Sequence, residues 1–593
     1  MIRISGYISN KKTLDFSTKI FDASYNYQRK YLIKGKKILK LILHSKNKID
    51  FDQHIFEDQD KFIFSFDKKF INNLKNPKKY YKEKNLFFID SSTAIYFDKR
   101  KKIFIKRSLF SANAVYYHKK NNNIFFSSEI KILLENSKTK FKLCKKILVN
   151  FLCRNYRLVF GRGYTFFNNI FEIKTAHYID FNAKNINQKN YWLPSTRNNF
   201  KRNPIIEFKR SLNLKISESL RTFKKPIFLV SGGLDSTFIA SFAKKILKQR
   251  IHTVSATFKN SKKFDESFYI KKLNHKIAKK SFYINMSSNF FVKWLKKKEK
   301  IYDQPLLSPV YLLMNYIFFF INKKKYDGVF GGGGGDILSM GTYEYQPYIF
   351  ADYLKISKKE FNKQINSWNK NQKNLIGYWP TNKNGMLELI KKITGKKGRI
   401  FHNPDWTVGK FNILNKNFFS KKDLTYVPSI KYKFPKYIQS RVADEILAQA
   451  MPTHFIEELN ICNYNITGSD PFLDKDLVEK CFNLRLKHLT ANGYAKVLFR
   501  RASKGILPDV LRMRKERTGL SVPIDDWFVK GPLNVYFKKL LNNKANTKTL
   551  NIRFIKKVLK EHEQKENDYS WILWRLLSFM IWIKNFNGYL RNK

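Results

Sequence analysis

Apolar residues in the first 195 positions come in short runs, LFFID (86–90), IFIKRSLF (103–110), AVYYH (114–118) and IFFSSEI (124–130), separated by Asn, Lys and Asp. Runs of β-branched and aromatic residues ended by polar residues predict strands alternating with turns. A polar stretch, QKNYWLPSTRNNFKRNP (188–204), reads as a linker. From about residue 205 the pattern changes. IIEFKRSLNLKISESL (205–220) is an amphipathic helix, PIFLV (226–230) a short apolar strand and SGGLDST (231–237) a glycine turn; FIASFAKKILK (238–248) is again an amphipathic helix. IHTVSATF (251–258) and YDGVF (326–330) read as further strands, the second leading into GGGGGD (331–336). Strands alternating with helices imply an α/β fold, a parallel sheet covered on both faces. Residues 340–450 are rich in Lys and Asn and give no clear period; the C-terminal part reads as helical. The longest apolar runs, YLLMNYIFFFI (311–321) and YSWILWRLLSFMIWI (569–583), fall short of the roughly 20 residues of a membrane span, and Arg575 interrupts the second. Both predict buried helices, with no membrane span.

Composition sharpens this picture. The 593 residues carry 115 Lys and Arg against 46 Asp and Glu, a formal charge of +69, yet 43% are hydrophobic and 16% aromatic. Such a chain folds into two or more domains and is no disordered basic tail. A charge of this size raises the question of a nucleic-acid partner. The basic residues, however, run from Lys11 to Lys593 through every region, and residues with adenine- and thymine-rich codons fill the chain. Codon bias on tolerant surface positions accounts for that spread, and nucleic acid ranks low as a partner. Four scattered cysteines, Cys144, Cys153, Cys462 and Cys481, form no CxxC pair. They suit neither a disulfide framework nor a structural zinc site. MIRISGYISN at the start lacks the order of a signal peptide, which makes the cytoplasm the expected location.

SGGLDST carries the chemistry. Between a strand and a helix, its glycines let backbone N–H groups converge on an anion at the helix N-terminus. Ser231, Ser236 and Thr237 add hydroxyls. Asp235 alone would repel a phosphate, a conflict that a bridging Mg²⁺ resolves. The string is neither a Walker A loop nor a GxGxxG loop.

SGGLDS resembles the pyrophosphate loop of ATP pyrophosphatases, and the remaining motifs narrow the resemblance to the asparagine synthetase B family. FFSSEIKILL (125–134), FDES (264–267), DQP (303–305), GGGGGD (331–336), PFLDKDLVE (471–479), AKVLFRRASKGILP (495–508), RKERTGLSVPIDDW (514–527) and the closing Trp-rich helix follow in that family's order. The resemblance implies two domains. Residues 1–195 would be a glutaminase-like α+β sandwich of the Ntn-hydrolase type. Residues 196–593 would be a doubly wound parallel-sheet ATP pyrophosphatase domain with a helical C-terminal part. It further implies that a carboxylate, from a small molecule or a peptide, is adenylated by MgATP and then attacked by ammonia or an amine. Ser231, Gly232, Gly233, Leu234, Asp235 and Ser236 would hold pyrophosphate, while Asp235 and Asp336 would bind Mg²⁺. Val230, Ala256, Gly331 and Gly332 would surround the adenine and ribose; Lys496, Arg500, Lys515 and Arg517 would act near the phosphates or the adenylate. A homodimer is one option for the assembly.

Three positions depart from the family's pattern. Its glutaminase half begins with a nucleophilic Cys, and here position 2 is Ile2, so glutamine hydrolysis by that route is not expected. Gly333 replaces the glutamate of the family's SGEGGDE-like loop, which removes a general base and opens room for a larger substrate. Ser469 replaces the arginine ahead of PFLD, and Arg517 replaces a lysine, a fork in place of a point charge. Free aspartate is thereby put in doubt as substrate. The leading expectation is an ATP-dependent amide-bond synthetase. The alternatives are a lactam-forming cyclase of the β-lactam synthetase or lasso-peptide cyclase type and, lower, an RNA-binding or RNA-modifying protein.

Overall fold

The computed structural model of the chain describes residues 2–9, 27–34, 37–45, 48–75, 93–98, 103–110, 113–121, 123–137, 139–154, 163–181, 186–259, 261, 263–371, 383–395, 411–426, 432–448, 464, 466–515, 521–543 and 548–590. Two antiparallel sheets of six strands form the N-terminal part. The first contains β1 (Ile2–Ser9), β2 (Tyr27–Lys34), β3 (Ile38–Ser45), β8 (Tyr116–Lys120), β9 (Asn123–Ser127) and β10 (Phe171–Glu172) in the order β10-β8-β9-β1-β3-β2. The second contains β4 (Ile55–Glu57), β5 (Lys61–Ser65), β6 (Ala94–Asp98), β7 (Ile103–Lys106), β11 (His177–Asp180) and β12 (Gln188–Asn190) in the order β12-β11-β7-β6-β5-β4. Alternation decides which side chains meet between them. Ile4 and Ile8 of β1 pack with Leu41, Phe62, Ile95 and Ile105 between the sheets, whereas Tyr7 joins the core beneath helices Ile130–Ser137 and Lys145–Cys153.

The predicted strands fall close to their runs, with IFIKRSLF reduced to Ile103–Lys106 and AVYYH shifted to Tyr116–Lys120. LFFID (86–90) lies outside the described residues. The expected linker at 188–204 is corrected. Gln188–Asn190 is strand β12, Trp192 is buried, and its Nε1 donates to Glu479 Oε1 at 2.7 Å. Polar composition there reflects an edge strand and hydrogen-bonded anchors, not a free tether.

The second half is built on a parallel sheet in the order β15-β14-β13-β16-β17, from β13 (Pro226–Leu229), β14 (Ile251–Thr257), β15 (Ala278–Asn285), β16 (Gly328–Phe330) and β17 (Thr467–Ser469). Helix Pro204–Leu220 precedes it. Asn203 caps that helix through Ile205 N–H, and Phe208, Leu212 and Ile216, four residues apart, are its buried stripe. Helix Leu234–Leu247 follows β13. The chain runs from β13 outward to β14 and β15, then returns to place β16 on the other side of β13. The sheet's switch point thus lies between β13 and β16, where ligands collect beyond the carboxyl ends of the strands.

The stretch from 340 to 450, unassigned from sequence, holds helices Gln346–Ile356, Lys358–Asn371, Lys383–Thr394 and Tyr437–Ala448. The apolar runs near 311–321 and 569–583 are helices Val310–Lys323 and Ser570–Phe586. Among the described residues no helix is long and apolar enough to cross a membrane. Helix Ser570–Phe586 ties the halves together. Trp582 packs against Phe166 and Phe167 with ring centroids 5.4 and 5.3 Å away, and its Nε1 donates to Asp303 O at 2.8 Å. Asp303 in turn accepts from Ile130 N–H at 2.6 Å.

Candidate active site

The SGGLDST loop leaves β13 at the switch point. Gly232 adopts φ +79, the left-handed region open to glycine, and a Cβ there would come 3.1 Å from Glu266 Cβ. Gly233 is the N-cap of helix Leu234–Leu247 and offers no side chain to its first N–H groups. The helix start is therefore left to a ligand or water. Ser231 and Ser236 fix the loop from inside: their hydroxyls lie 2.9 Å apart, and Ser231 N–H donates to Ser236 Oγ at 3.1 Å. Val230 N–H donates to Val254 O at 3.0 Å, which brings Ala256 of the neighbouring strand to the same rim.

The second loop, Gly331–Gly335, is squeezed on two faces. A Cβ on Gly332 would meet Ser236 N at 2.6 Å, and one on Gly335 would meet Asp235 Cγ at 2.7 Å. On the opposite face a Cβ on Gly331 would lie 3.0 Å from Asp470 Oδ1, one on Gly333 only 2.5 Å from it, and one on Gly334 2.4 Å from Leu473 Cδ2. Five glycines in a row are explained by this packing. The backbone alone separates the pyrophosphate-type loop from the turn after β17.

Lys496 joins the two loops. Its ammonium contacts Asp235 Oδ2 and lies 2.8 Å from Asp336 Oδ1. The residue is 5% exposed and is held at φ +58, a conformation that costs a non-glycine residue on the order of 1–2 kcal/mol. Its aliphatic stem fills the space over Gly341, where a Cβ would sit 2.3 Å from Lys496 Cγ. One ammonium thus meets two carboxylates. Two aspartate carboxylates are hard donors that suit Mg²⁺, which needs only one or two of them when phosphate oxygens complete its shell. No group of three or more His, Cys, Asp and Glu forms an all-protein cage among the described residues. The donor set fits a cation brought in with a nucleotide.

A cavity of about 370 Å³ opens over these loops, a size suited to a small-molecule ligand. Val230, Ser231, Gly232, Gly233, Leu234, Asp235, Ser236, Ala256, Gly331, Gly332 and Asp336 line it, as do Lys496, Arg500 and Lys515. Thr237 does not, being buried with its hydroxyl donating to Gly233 O at 2.7 Å. Arg500 also works as a brace, its guanidinium donating to the carbonyls of Ala495 and Arg512. Lys515 is exposed and donates to Asn371 Oδ1 at 3.2 Å. Arg517 lies outside the described residues.

The strings FDES and RKERTGLSVPIDDW contain Glu266 and Arg514, neither of which stands out in them, and Asp470 lies unremarked between Ser469 and PFLDKDLVE. Arg514 pairs with Glu266 at 2.6 Å, each side chain 9% exposed, and donates to Gly232 O at 3.3 Å. Its guanidinium also lies 3.9 Å from the centre of the Tyr269 ring. This pair walls the glycine turn from one side. Asp470 walls the second loop from the other. Of the tyrosines between 343 and 348, Tyr343 lines the cavity while Tyr345 and Tyr348 are buried in the core.

Comparison with known proteins agrees with this geometry. Residues 207–584 match the model of the asparagine synthase family, and residues 90–192 match a glutamine amidotransferase domain. Two relatives come from Bacillus subtilis (strain 168). Asparagine synthetase [glutamine-hydrolyzing] 1 is 24% identical over 367 residues, 60% of this chain and 55% of that protein. Asparagine synthetase [glutamine-hydrolyzing] 2 is 26% identical over 201 residues, 30% of this chain and 27% of that protein. The matched stretches thus span about half of the first relative and about a quarter of the second.

Proposed function

The chain belongs to the asparagine synthase family, and from that premise we propose that it is an ATP-dependent, AMP-forming carbon–nitrogen ligase. The observation that carries this reading is the Asp235–Lys496–Asp336 cluster at the sheet's switch point, beside the open helix start at Gly233. The phosphates of ATP would lie over SGGLDST, Asp235 and Asp336 would hold its Mg²⁺, and Lys496 places a positive charge where negative charge develops on the departing pyrophosphate. The metal would supply neutralisation of phosphate charge. The carboxylate substrate is adenylated, and ammonia or an amine displaces AMP.

Residues 1–195 form a glutaminase-like unit that hydrolyses no glutamine, and residues 196–593 carry the synthetase chemistry. Ile2 at the family's cysteine position supports this. The described cysteines offer no replacement: burial pushes the Cys144, Cys153 and Cys481 thiols up, Cys153 to about 12. The substrates are a small-molecule or peptide carboxylate and ammonia or an amine, and the proposed setting is the cytoplasm. A lactam-forming cyclase is the second reading, favoured by Ser469 in the cavity wall where the family's pattern has an arginine. Gly333, expected to open room for a larger substrate, opens none, because Asp470 fills the place of its missing side chain.

Exchange of labelled pyrophosphate into ATP tests the proposal. Purified protein with MgATP and a panel of carboxylates should exchange label with at least one of them. Exchange with L-aspartate favours the first reading; exchange only with a peptide or an amino diacid favours the cyclase. Glutamine should yield no glutamate. Complete lack of exchange across the panel refutes the ligase.

A further inference from the structure

Asp470 occupies the place that a side chain at position 333 would take. It directly follows β17, the edge strand beside β16, and the two strand ends are pinned together by Gly331 N–H donating to Ser469 O at 3.2 Å. Asp470 O accepts from Leu473 N–H at 2.9 Å, closing a turn that leads into helix Lys475–Phe482, capped by Asp474. The carboxylate is then aimed at the glycine loop: Oδ1 accepts from Gly333 N–H at 3.2 Å. All three atoms nearest to a Cβ built on Gly333 belong to Asp470, at 2.5, 2.7 and 3.0 Å.

Asp470 is half-buried and lines the cavity. The loop between it and Asp235 is one backbone thick. Asp470 lines the same cavity as Asp235, Asp336 and Lys496, so an acyl group carried on the phosphate held there shares that cavity with the Asp470 carboxylate. One acidic group stands at each side of the partition.

We propose that Asp470 is the catalytic carboxylate of the amine-transfer half-reaction, standing in for the side chain missing at Gly333. This rests on the ligase reading above. In that step the amine nitrogen forms a bond to the acyl carbon, and the bond from that carbon to the phosphate oxygen breaks. An ammonium first gives one proton to solvent to free its lone pair; after attack AMP leaves with the electron pair, and the nitrogen's second proton passes to the Asp470 carboxylate. The carboxylate selects an amine-bearing acceptor, ammonium or a primary ammonium, by charge, and it disfavours a second carboxylate at that end. No oxidant or reductant is involved.

The test separates the two half-reactions. Asp470→Asn keeps an oxygen for the Gly333 N–H and so preserves the loop. With MgATP and the panel carboxylate that supports exchange, Asp470→Asn should exchange pyrophosphate within about threefold of the parent. Amide formation from ammonium chloride at pH 7 should fall about 10²- to 10³-fold, the usual weight of a positioned base. Hydroxylamine, already unprotonated at that pH, should lose less than about tenfold. Gly333→Glu alone places its Cβ against Asp470 and should lose both half-reactions. Gly333→Glu combined with Asp470→Ala has the space and should regain amide formation at least about tenfold over Asp470→Ala. Parent-like amide formation from ammonium by Asp470→Asn overturns the proposal. So does an equal loss of exchange and amide formation, which marks a structural brace. Absence of exchange in the parent protein overturns the ligase reading and this one with it.

Discussion

At the scale of single residues, the site is held by charges that meet across long sequence distances. Asp235 was legible because the six residues of SGGLDS form its loop by themselves. Lys496 was legible only through its motif, since in a chain with 115 Lys and Arg a lone lysine stands out in no way. Arg514 and Asp470 were not singled out, because their partners, Glu266 and Gly333, lie far away in sequence and only folding joins them. Lys496→Met tests the central charge. It keeps the stem that covers Gly341 and removes the ammonium between Asp235 and Asp336. Pyrophosphate exchange should drop on the order of 10²–10³, as when one charge-stabilising donor is removed, with the thermal midpoint little changed. A variant that exchanges normally would mean that Lys496 serves only to neutralise the two carboxylates.

At the scale of elements, strands and helices around the motifs followed their periodicity because each buries one clear face. The parallel sheet and the helices on either side of SGGLDST were readable for that reason. Helix Lys358–Asn371 was not: its buried stripe is only Phe361, Gln364, Ile365 and Trp368, one member polar, amid Lys and Asn. Helix Ser570–Phe586 is the opposite case, apolar nearly all round and buried. Trp582→Ala should cost about 3–5 kcal/mol in chemical denaturation, because it empties a site against Phe166 and Phe167 and frees Asp303 O. Nearby Asp303 makes the joint between the halves sensitive to pH. Burial lifts its carboxyl to about 6, with Lys131 opposing and Glu129 adding to the rise. A carboxyl raised in the folded state stabilises at low pH and loses that contribution as pH rises through about 6. Asp303→Asn should remove this slope. The difference in melting temperature, parent minus variant, should increase as pH is lowered from about 7 to about 5.

At the scale of the whole molecule, two antiparallel sheets and a parallel sheet share a core that runs through both halves, in which Phe151, Phe166 and Phe167 belong to the same cluster as Trp574 and Trp582. The expected free linker was misread at this scale, because polar residues that anchor two halves look like polar residues that separate them. The +69 charge is also a whole-molecule property, its basic residues spread along the chain from end to end. It should bind RNA loosely and without base preference. In filter binding, a tRNA and an unrelated RNA of the same length should weaken in parallel as salt goes from about 50 to about 200 mM. A tRNA that holds on at the higher salt while the control is released would bring nucleic acid back as a partner.

The run of five glycines has a consequence for how this site can change. Because a Cβ at position 333 would press on the carboxylate of 470, which must turn aside to admit it, the two positions are coupled. Shrinking residue 470 first removes that pressure, whereas adding a side chain at 333 first displaces the carboxylate from the Gly333 N–H. The easier order of replacement therefore runs from 470 to 333.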